Sequence, residues 1–395
     1  MARILTVIGT RPEVIKMAPV IELLEQSSVF HSRVCLTGQH RQLLEQAIEF
    51  FKLDVHHNLE IMQHDQSLHE ITSRVLNGMK TVLEKEEPDM ILVHGDTTTS
   101  FAASLAAFYA GIPIGHVEAG LRTGNLKFPF PEEANRTLTA SLANVHFAPT
   151  ETSRANLLSE GIQPENIFVT GNTVIDALFK TRAWVRSMPV AEFDEQLGCA
   201  ALPFRDAFYQ RRILITGHRR ENFGRGFENI CKAMSDIAKR HPDWLLVYPV
   251  HLNPNVREPV MSTLSGFRNI CLIEPVSYAP FVYLMDKCDL IITDSGGIQE
   301  EASSIGKSVL VMRDITERSE AIKVGHTVLV GTDRARIVKE TERMLLNEDQ
   351  GWSANKNCSV YGDGHAAERI VSILKSMMIK DQSCVERIND AEFIM

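Results

Sequence analysis

The sequence predicts an α/β protein of two domains, each built on a doubly wound parallel sheet. Short apolar runs alternate with amphipathic stretches along most of the chain, which is the pattern of βαβ units. This alternation stops after residue 180 and starts again at Arg212. The 395 residues also exceed what one hydrophobic core ordinarily organises. We therefore expect a first domain over 1–180, a connector over 181–211, a second domain over 212–365, and a C-terminal helix and tail over 366–395.

The strands are predicted from the apolar runs and the helices from the amphipathic stretches between them. In the first domain the predicted strands are Arg3–Ile8, Arg33–Leu36, Met90–His94, Pro113–Glu118 and Val145–Ala148, and the clearest helices are Pro12–Glu25, Leu68–Glu86 and Thr98–Ala110. In the second domain the predicted strands are Arg212–Thr216, Leu245–Pro249, Ile270–Ile273, Leu290–Thr293, Ser308–Met312 and Thr327–Val330. The connector contains two prolines and no clear strand. The helical pattern of Ala366–Ile379 has no strand after it, which would let that helix pack back on the first domain.

The composition is that of a soluble globular protein, with 44% hydrophobic and 23% charged residues. The formal net charge of -9 argues against general nucleic-acid binding and against an anionic membrane surface. Charged residues interrupt the N-terminal apolar run from Arg11 onwards, so we predict a first strand and not a signal peptide. The weakly polar stretch Phe101–Ile114 is too short to span a bilayer. We therefore expect a cytoplasmic location.

Neither a metal nor a redox cofactor is expected. The seven cysteines are scattered and form no Cys-x-x-Cys pair, which argues against a disulfide framework and a thiolate zinc site. The 14 histidines show no ligand-spaced pair with carboxylates. The glycine-rich segment after Thr293 is neither a P-loop nor the Gly-x-Gly-x-x-Gly dinucleotide fingerprint.

Polar motifs follow the predicted strands, at the sheet edge where open parallel sheets bind ligands. The first motif is Gly9-Thr10-Arg11-Pro12-Glu13, with Lys16 one turn further on. Its tight turn leads into a helix whose N-terminal amides and basic side chains suit an anion. For this motif alone, a plain strand-to-helix turn with solvated basic side chains is an equally good interpretation.

Carboxylates stand in three further places of the first domain. Asp96 follows an apolar strand in the motif His94–Thr99, and taken alone it would be a helix cap. Glu118 ends another apolar strand, where a carboxylate is awkward unless it faces a cleft. Glu132 and Arg136 lie four apart on one helix face and could be only a surface ion pair. Because the three acids should meet at one edge of the sheet, we predict an acid/base cluster with perturbed pKa values.

Two motifs of the second domain suit a diphosphate. Gly217–Gly224 places His218 and two arginines at a strand end, where the cations can bind phosphate and His218 can assist proton transfer. The motif Thr293-Asp294-Ser295-Gly296-Gly297 leads into a helix whose amides and dipole favour phosphate. Glu301, one turn into that helix, is placed to accept hydrogen bonds from ribose hydroxyls. A solvated basic loop and an ordinary helix-surface acid are the alternatives.

Together the motifs resemble the non-hydrolysing UDP-N-acetylglucosamine (UDP-GlcNAc) 2-epimerases of bacteria. The similar blocks run in order from about Arg3 to Ile373: GTRPEVIKMAP, HGDTTTSFAA, GHVEAGLRTG, FPFPEEANR, GHRRENFG, DSGGIQEEA and MRDITERSEA. Any single block is weak evidence, whereas the ordered set is specific. The resemblance implies the GT-B architecture, with two Rossmann-like domains and an active site in the cleft between them, and it implies a homodimer.

The resemblance also implies a role for each matching residue. Arg11, His218, Ser295, Gly296 and Gly297 would hold the diphosphate, Glu301 the ribose, and the segment from Val276 to Phe281 the uracil, while Lys16 and Arg318 would support the sugar and phosphate end. Asp96, Glu118 and Glu132 would be the acid/base carboxylates, assisted by Arg136 and His218. A second UDP-GlcNAc could act as an effector at Gln39, Gln42 and Gln66, although Asp65 stands where some members have a basic residue.

The implied reaction inverts carbon 2 of the sugar by eliminating UDP to 2-acetamidoglucal and adding it back, which gives UDP-N-acetylmannosamine. It needs a clamp for the leaving diphosphate and carboxylates that remove and return a proton, and the motifs offer both. Three alternatives stay open: a glycosyltransferase of the same architecture, a hydrolysing epimerase and a non-catalytic UDP-sugar sensor. The three carboxylates argue against the first and the last.

Overall fold

Two parallel sheets with their helices organise the chain. The computed structural model describes residues 1–38, 41–61, 66–316, 318, 320, 322, 325, 327–346 and 360–378. One unit comprises Met1–Ala177 together with the segment that begins at Gly362, and the other comprises Leu178–Tyr361. Both units have the Rossmann-like α/β fold, so the predicted fold class is confirmed.

The first unit carries seven strands among the described residues. They are β1 (Ala2–Ile8), β2 (Phe30–Leu36), β3 (His57–Asn58), β4 (Met90–His94), β5 (Ile114–Val117), β6 (Val145–Ala148) and β7 (Ile167–Val169). Neighbouring strands are parallel, in the order β3-β2-β1-β4-β5-β6-β7. The helices are α1 (Arg11–Gln26), α2 (Arg41–Phe51), α3 (Leu68–Glu86), α4 (Thr98–Tyr109), α5 (Glu132–Leu142), α6 (Glu151–Ser159) and α7 (Thr173–Ser187), the last of which continues into the second unit.

Small side chains on α4 set the position of the loop after β4. Leu5 and Val7 of β1 and Ile91 of β4 are buried in one apolar cluster with α3 and α4. Buried alanines of α4 recur at helical spacing in that cluster: Ala102, Ala103, Ala106 and Ala107. Because alanine has little side-chain volume, α4 can lie close to the sheet. The loop between β4 and α4 is therefore held at the sheet edge.

The second unit repeats the arrangement. Its described strands are β8 (Arg211–Thr216), β9 (Trp244–Pro249), β10 (Ile270–Ile273), β11 (Leu290–Thr293), β12 (Ser308–Val311) and β13 (Thr327–Leu329). They are parallel in the order β10-β9-β8-β11-β12-β13, which is the Rossmann order. The helices are α8 (Asp194–Leu197), α9 (Arg225–Arg240), α10 (Pro254–Leu264), α11 (Tyr278–Lys287), α12 (Gly296–Ser304) and α13 (Arg334–Leu346).

The segment between α7 and β8 packs on α11 within the second unit. It consists of α8 and short 3-10 turns at Val190–Phe193, Gly198–Ala200 and Pro203–Arg205. Phe193 and Phe204 contact the ring of Tyr283, with centroid distances of 5.4 Å and 5.8 Å. Arg182 in the second half of α7 pairs with Asp286 of α11 at 2.6 Å. Aromatic packing therefore holds this segment on α11, and the ion pair holds α7 on the same helix.

A C-terminal helix, α14, covers residues 366–378 and belongs to the first unit. The carboxylate of Asp176 accepts the backbone N–H groups of Ala366 and Ala367 at 3.2 Å and 2.8 Å. These are otherwise unpaired donors at the start of a helix, where a carboxylate is favourable. Ile370 and Leu374 are fully buried. The chain therefore ends its described part by packing on the unit with which it began.

Candidate active site

In both sheets the strand order reverses beside the first strand, between β1 and β4 in one and between β8 and β11 in the other. Such a switch point opens a crevice outside the carboxyl ends of the strands, where open α/β sheets bind ligands. The loops that leave these strand ends hold four predicted motifs: Gly9–Glu13, His94–Thr99, Gly217–Gly224 and Thr293–Gly297. The prediction that these motifs lie at strand ends is confirmed.

Glu13 joins the two loops at the first switch point. Its buried carboxylate accepts the backbone N–H of Gly9 at 2.9 Å and of Thr10 at 2.6 Å. It also accepts the hydroxyls of Thr97 at 2.8 Å and Ser100 at 2.9 Å, from the loop after β4 and the start of α4. Burial raises the pKa of Glu13, and these donors oppose the rise. The sequence signal for this role is the capping-box spacing Thr10-x-x-Glu13.

This contact limits which backbone amides of the motif could bind an anion. The amides of Gly9 and Thr10 do not await an external anion, because the carboxylate of Glu13 accepts both of them. Arg11 is the first residue of α1 and is half-buried. An anion at this edge would therefore be met by the guanidinium of Arg11 and not by those two amides.

Glu118 is a buried carboxylate on a strained backbone. Its φ of 62° lies in the left-handed region that favours glycine, and the residue is 8% exposed. Lys16 of α1 pairs with its Oε2 atom, and the amide of Asn172 donates to the same oxygen at 2.7 Å. The Nε2 atom of His94 lies 3.7 Å from that oxygen. Burial lowers the pKa of His94 to about 4, against the opposing effect of Glu118, so His94 is neutral near pH 7.

Asp96 pairs with Arg136 of α5, Oδ2 to Nη2, at 2.8 Å. Arg136 is 4% exposed, so water screens the pair little. The Nε atom of Arg136 donates to the backbone carbonyl of Glu132 at 3.4 Å. The alternative of a surface pair between Glu132 and Arg136 is therefore wrong. Asp96 is also not the cap of α4, because the hydroxyl of Thr97 accepts the N–H of Ser100 at 3.0 Å.

Helix α5 holds Glu132 near the loop of Asp96. Glu132 is the first residue of α5 and is half-buried. The next residue, Glu133, is buried and accepts the backbone N–H of Thr123 at 2.9 Å, which orders the preceding loop. The amide of Asn135 donates to the carbonyl of Asp96 at 3.0 Å. The segments that carry the three predicted carboxylates therefore all follow β4 or β5 at one edge of the first sheet.

Asp294 joins the two loops at the second switch point. Its fully buried carboxylate accepts the backbone N–H groups of His218 and Arg219, both at 2.9 Å. The amide of Asn222 donates to it at 3.2 Å. The loop after β8 is thus fixed through its backbone, while the side chain of His218 is 42% exposed at the strand end. The ring of His218 stacks on His251, with centroids 5.5 Å apart.

The N-terminus of α12 carries a cation beside its first amides. The helix begins at Gly296 after the N-cap Ser295. A Cβ on Gly296 would lie 2.5 Å from Nη1 of Arg318, so this position requires glycine unless Arg318 moves. The Nε atom of Arg318 donates to Glu300 at 2.8 Å. A Cβ on Gly297 would contact nothing within 4 Å. The glycines, the helix dipole and the guanidinium together favour a phosphate here.

The predicted ribose and base residues lie at the same edge. Glu301 is buried and accepts the phenol O–H of Tyr278 at 2.6 Å. Tyr278 begins α11, within the segment predicted to hold the uracil. In that segment Val276 is buried and Phe281 is half-buried. This hydrogen bond therefore connects the segment predicted to hold the uracil to the residue predicted to bind the ribose.

Of the three predicted effector residues, only Gln66 has a side chain within the described part of the structure. Its amide donates to the backbone carbonyl of Ile61 at 2.7 Å. Gln39 lies outside the described residues, as does Asp65, and the side chain of Gln42 in α2 lies outside them too.

No individual role is predicted from the sequence for four buried polar residues that organise the site: Glu13, Glu133, Asn172 and Asp294. Each stands at a helix start or a strand end, and Glu13 also has the capping-box spacing from Thr10. The contacts of Glu13 with Thr97, of Asn172 with Glu118 and of Asp294 with His218 join residues far apart in the chain, so the sequence does not show them. Within the described part of the chain, no group of three or more His, Cys, Asp or Glu could hold a metal ion. No described helix is both long and apolar enough to cross a membrane.

A family model described as UDP-N-acetylglucosamine 2-epimerase matches residues 22–375 of the chain. The chain is 55% identical over 378 residues to the UDP-N-acetylglucosamine 2-epimerase of Escherichia coli strain K12, covering 95% of this chain and 99% of that protein.

Solved structures of UDP-GlcNAc 2-epimerases are also similar to the chain. The crystal structure of UDP-GlcNAc 2-epimerase from Neisseria meningitidis bound to UDP-GlcNAc matches with a TM-score of 0.89 and 50% identity, over 95% of this chain and 100% of that one. The Methanocaldococcus jannaschii UDP-GlcNAc 2-epimerase in complex with UDP-GlcNAc and UDP matches with a TM-score of 0.82 and 34% identity, over 95% of this chain and 99% of that one.

Proposed function

Because the chain belongs to the UDP-N-acetylglucosamine 2-epimerase family, we propose that it interconverts UDP-GlcNAc and UDP-N-acetylmannosamine at sugar carbon 2. The observation that carries the proposal is that the two sheets have chemically complementary edges at the carboxyl ends of their strands. One unit offers the carboxylates Asp96, Glu118 and Glu132, and the other offers an anion-binding helix start at Gly296 with Arg318 beside it.

The reaction needs both edges because the proton at carbon 2 is barely acidic in the intact substrate. When the bond from carbon 1 to UDP breaks, UDP leaves with the bonding electrons and carbon 1 becomes electron-poor. The neighbouring C–H then loses its proton to a carboxylate, and 2-acetamidoglucal forms. Return of a proton to the opposite face of carbon 2, with UDP rejoining carbon 1, gives the epimer. Cleavage of the bond to UDP needs groups that stabilise the leaving diphosphate. Proton transfer at carbon 2 needs an ionised carboxylate that removes the proton and a second acid that returns one.

The second unit is proposed to hold the nucleotide. Arg318, Ser295, Gly296 and Gly297 would bind the diphosphate together with His218 and with Arg11 of the first unit. Glu301 would accept ribose hydroxyls, and the segment from Val276 to Phe281 would pack on the uracil. The support for these roles is the shared strand edge and the helix N-terminus, where developing negative charge is stabilised.

The first unit is proposed to perform proton transfer. Glu118 is the strongest candidate for one of the two acids, because a strained backbone and a buried cation hold it at the strand end. Asp96 and Glu132 would act with it, and Arg136 would hold the Asp96 carboxylate in place through their ion pair. Lys16, which pairs with Glu118 here, would also support the sugar and phosphate end.

Product analysis tests the proposal directly. The purified chain is incubated with UDP-GlcNAc, and the mixture is resolved by anion-exchange chromatography and NMR. We expect a mixture of the two UDP-sugars that is reached from either side. Free N-acetylmannosamine with UDP would indicate a hydrolysing enzyme. Turnover only with an added acceptor would indicate a glycosyltransferase, and binding without turnover would indicate a sensor.

The proposal includes a cytoplasmic homodimer and a second UDP-GlcNAc as effector. The support is the family resemblance, which implies effector residues at Gln39, Gln42 and Gln66. Light scattering after size exclusion gives the oligomeric state. For the effector, the rate with UDP-N-acetylmannosamine as substrate is measured with and without added UDP-GlcNAc. An early increase in rate supports an effector, and simple product inhibition argues against it.

A further inference from the structure

We infer that Asn172 is a positioning residue that orients the Glu118 carboxylate and keeps it in the form that accepts a proton. The inference rests on the function proposed above. Asn172 lies just before α7 and is 1% exposed, and its amide nitrogen is 2.7 Å from Oε2 of Glu118. No motif of the sequence prediction includes it.

The orientation of the Asn172 amide follows from its second contact. Its Oδ1 atom accepts the backbone N–H of Val174 in the first turn of α7, at 3.0 Å. A backbone N–H can only donate, so the amide oxygen has to face the helix and the nitrogen has to face Glu118. An ionised carboxylate can only accept, which agrees with that assignment. One side chain therefore caps α7 and presents a donor to Glu118.

The backbone around Asn172 is held on two sides. Its carbonyl accepts the N–H of Ile175 at 3.0 Å, as expected for a helix start. Gly362 lies against it, since a Cβ there would be 3.3 Å from the backbone nitrogen of Asn172. Beyond Gly362, the first amides of α14 donate to Asp176 in the first turn of α7. The C-terminal segment thus fixes the residue that reaches Glu118.

The groups around Glu118 determine how its hydrogen bond with Asn172 affects proton transfer. Among the described residues, Lys16 of α1 and His94 of β4 each place a charged or titratable side chain against the Glu118 carboxylate. His94 is neutral near pH 7, because burial lowers its pKa to about 4. Lys16 and Asn172 both donate to Oε2. Donors to a carboxylate favour its ionised form, which is the form that accepts the carbon 2 proton.

A purely structural role is the competing explanation, because Asn172 also caps a helix. Asn and Asp are about equally good at the N-cap position. Asn172→Asp therefore keeps the cap but removes the donor and adds a negative charge beside Glu118. The variant separates the two roles: a cap alone predicts no change, whereas a positioning residue predicts a changed pH profile.

The experiment compares the full-length chain with Asn172→Asp and with Asn253→Asp. Asn253 is a matched control, since its side chain accepts the N–H of Asn255 as N-cap of α10. For each protein kcat and KM are measured from pH 5 to 9, with Tm and the Kd for UDP. For Asn172→Asp we expect kcat at pH 7 to fall by about 10- to 100-fold. We also expect the acid limb of its kcat profile to move up by about one pH unit, because a second acid disfavours ionisation of Glu118. UDP affinity should change by less than about threefold, and Asn253→Asp should match the wild type.

Each other outcome contradicts the inference. Asn172→Asp with the wild-type profile overturns it, and so does a fall in kcat by the same factor at every pH, which a structural defect would produce. If Asn172→Asp does not fold, Asn172→Ser decides by the same profile, because serine caps the helix but lacks the reach to Glu118. A wild-type rate in Asn172→Ser overturns the inference. A wild type that exchanges no sugar proton with solvent would overturn the proposed function as well.

Discussion

Glu118 adopts a left-handed backbone that costs a non-glycine residue about 1–3 kcal/mol. Its carboxylate is also buried against Lys16, so the residue combines backbone strain with a charge that needs a partner. Neither feature helps folding by itself, because a glycine would fit this φ and an apolar side chain would suit the interior. This arrangement is therefore expected for a residue whose role is chemical and not structural.

Glu118→Gln should separate catalysis from nucleotide binding. The amide cannot accept a proton from carbon 2, so we expect kcat to fall by about 10²- to 10⁴-fold. Affinity for UDP, measured by calorimetry, should stay within about threefold, because the proposed diphosphate residues are mainly in the other unit. Lys16 loses its charge partner, so the free energy of unfolding should fall by about 3 kcal/mol.

The matched control is Glu87→Gln. Glu87 is another glutamate with a left-handed backbone, with φ of 41°, but it is exposed and pairs only loosely with Arg3 at 3.5 Å. Both its activity and its stability should match the wild type. An unchanged kcat in Glu118→Gln would remove Glu118 from proton transfer.

His218→Ala should weaken the binding of the diphosphate. The backbone of His218 is held by Asp294, so removing the imidazole leaves the loop in place. We expect the Kd for UDP to rise by about 10-fold, since a phosphate contact is lost, and Tm to stay close to the wild type. Isothermal titration with UDP measures this. Affinity equal to the wild type would show that the ring of His218 does not contact the diphosphate.

At the scale of elements, strands with continuous apolar sequences are the best predicted. The predicted bounds of β4, β6, β10 and β11 match the structure, because each is a short apolar run next to polar or turn-forming residues. Strands β3 and β7 have two and three residues and give no pattern of alternation, so the sequence does not reveal them. They exist because neighbouring strands supply hydrogen-bond partners, which is a tertiary effect.

The start of α12 offers a steric test of the proposed phosphate site. In Gly296→Ala the new Cβ would lie 2.5 Å from Nη1 of Arg318, so the guanidinium has to move away from the helix N-terminus. We expect the Kd for UDP to rise by about 10-fold, which is about 1.4 kcal/mol. Helix stability should not fall, because alanine is a better helix former than glycine.

Gly266→Ala is the control for the preceding variant. Gly266 follows α10 in the same unit, and an added Cβ there meets nothing within 4 Å. Its UDP affinity should equal that of the wild type. If Gly296→Ala also binds UDP normally, then Arg318 and the first amides of α12 do not hold the diphosphate.

At the scale of the whole molecule, the first unit should be sensitive to acid. His94, His116 and His146 lie buried on the neighbouring strands β4, β5 and β6. Burial lowers the pKa of His116 to about 3 and those of His94 and His146 to about 4. An unfolded histidine has a pKa of about 6.5. The stabilisation from these neutral rings is therefore complete above pH 6.5 and is lost as pH falls from there towards 4.

Each of these histidines should lower the free energy of unfolding by about 1.4 kcal/mol per pH unit in that interval. Hydrogen exchange of the β4–β6 amides, measured at several pH values, reports on the first unit alone. His146→Gln removes one titrating ring and should reduce the slope by roughly a third. Stability that does not change between pH 6.5 and 4.5 would contradict the account.

The sequence predicts the whole-molecule architecture better than the interior of the site. Alternation of apolar and amphipathic segments is a local property, so two α/β units follow from it directly. The partners of Glu13, Asn172 and Asp294 depend on which loops the sheets bring together, and a pattern along the chain does not contain that information. The sequence also does not show that Asp96 pairs with Arg136 and does not cap α4, because this pairing again depends on which segments the fold brings together.

Exchange of the carbon 2 hydrogen with solvent tests the central claim most directly. The chain is incubated with UDP-GlcNAc in deuterium oxide, and both UDP-sugars are examined by NMR and mass spectrometry. Elimination with proton transfer at carbon 2 predicts deuterium at that carbon in the product and, with time, in recovered substrate. Turnover that leaves the original hydrogen at carbon 2 would contradict the account.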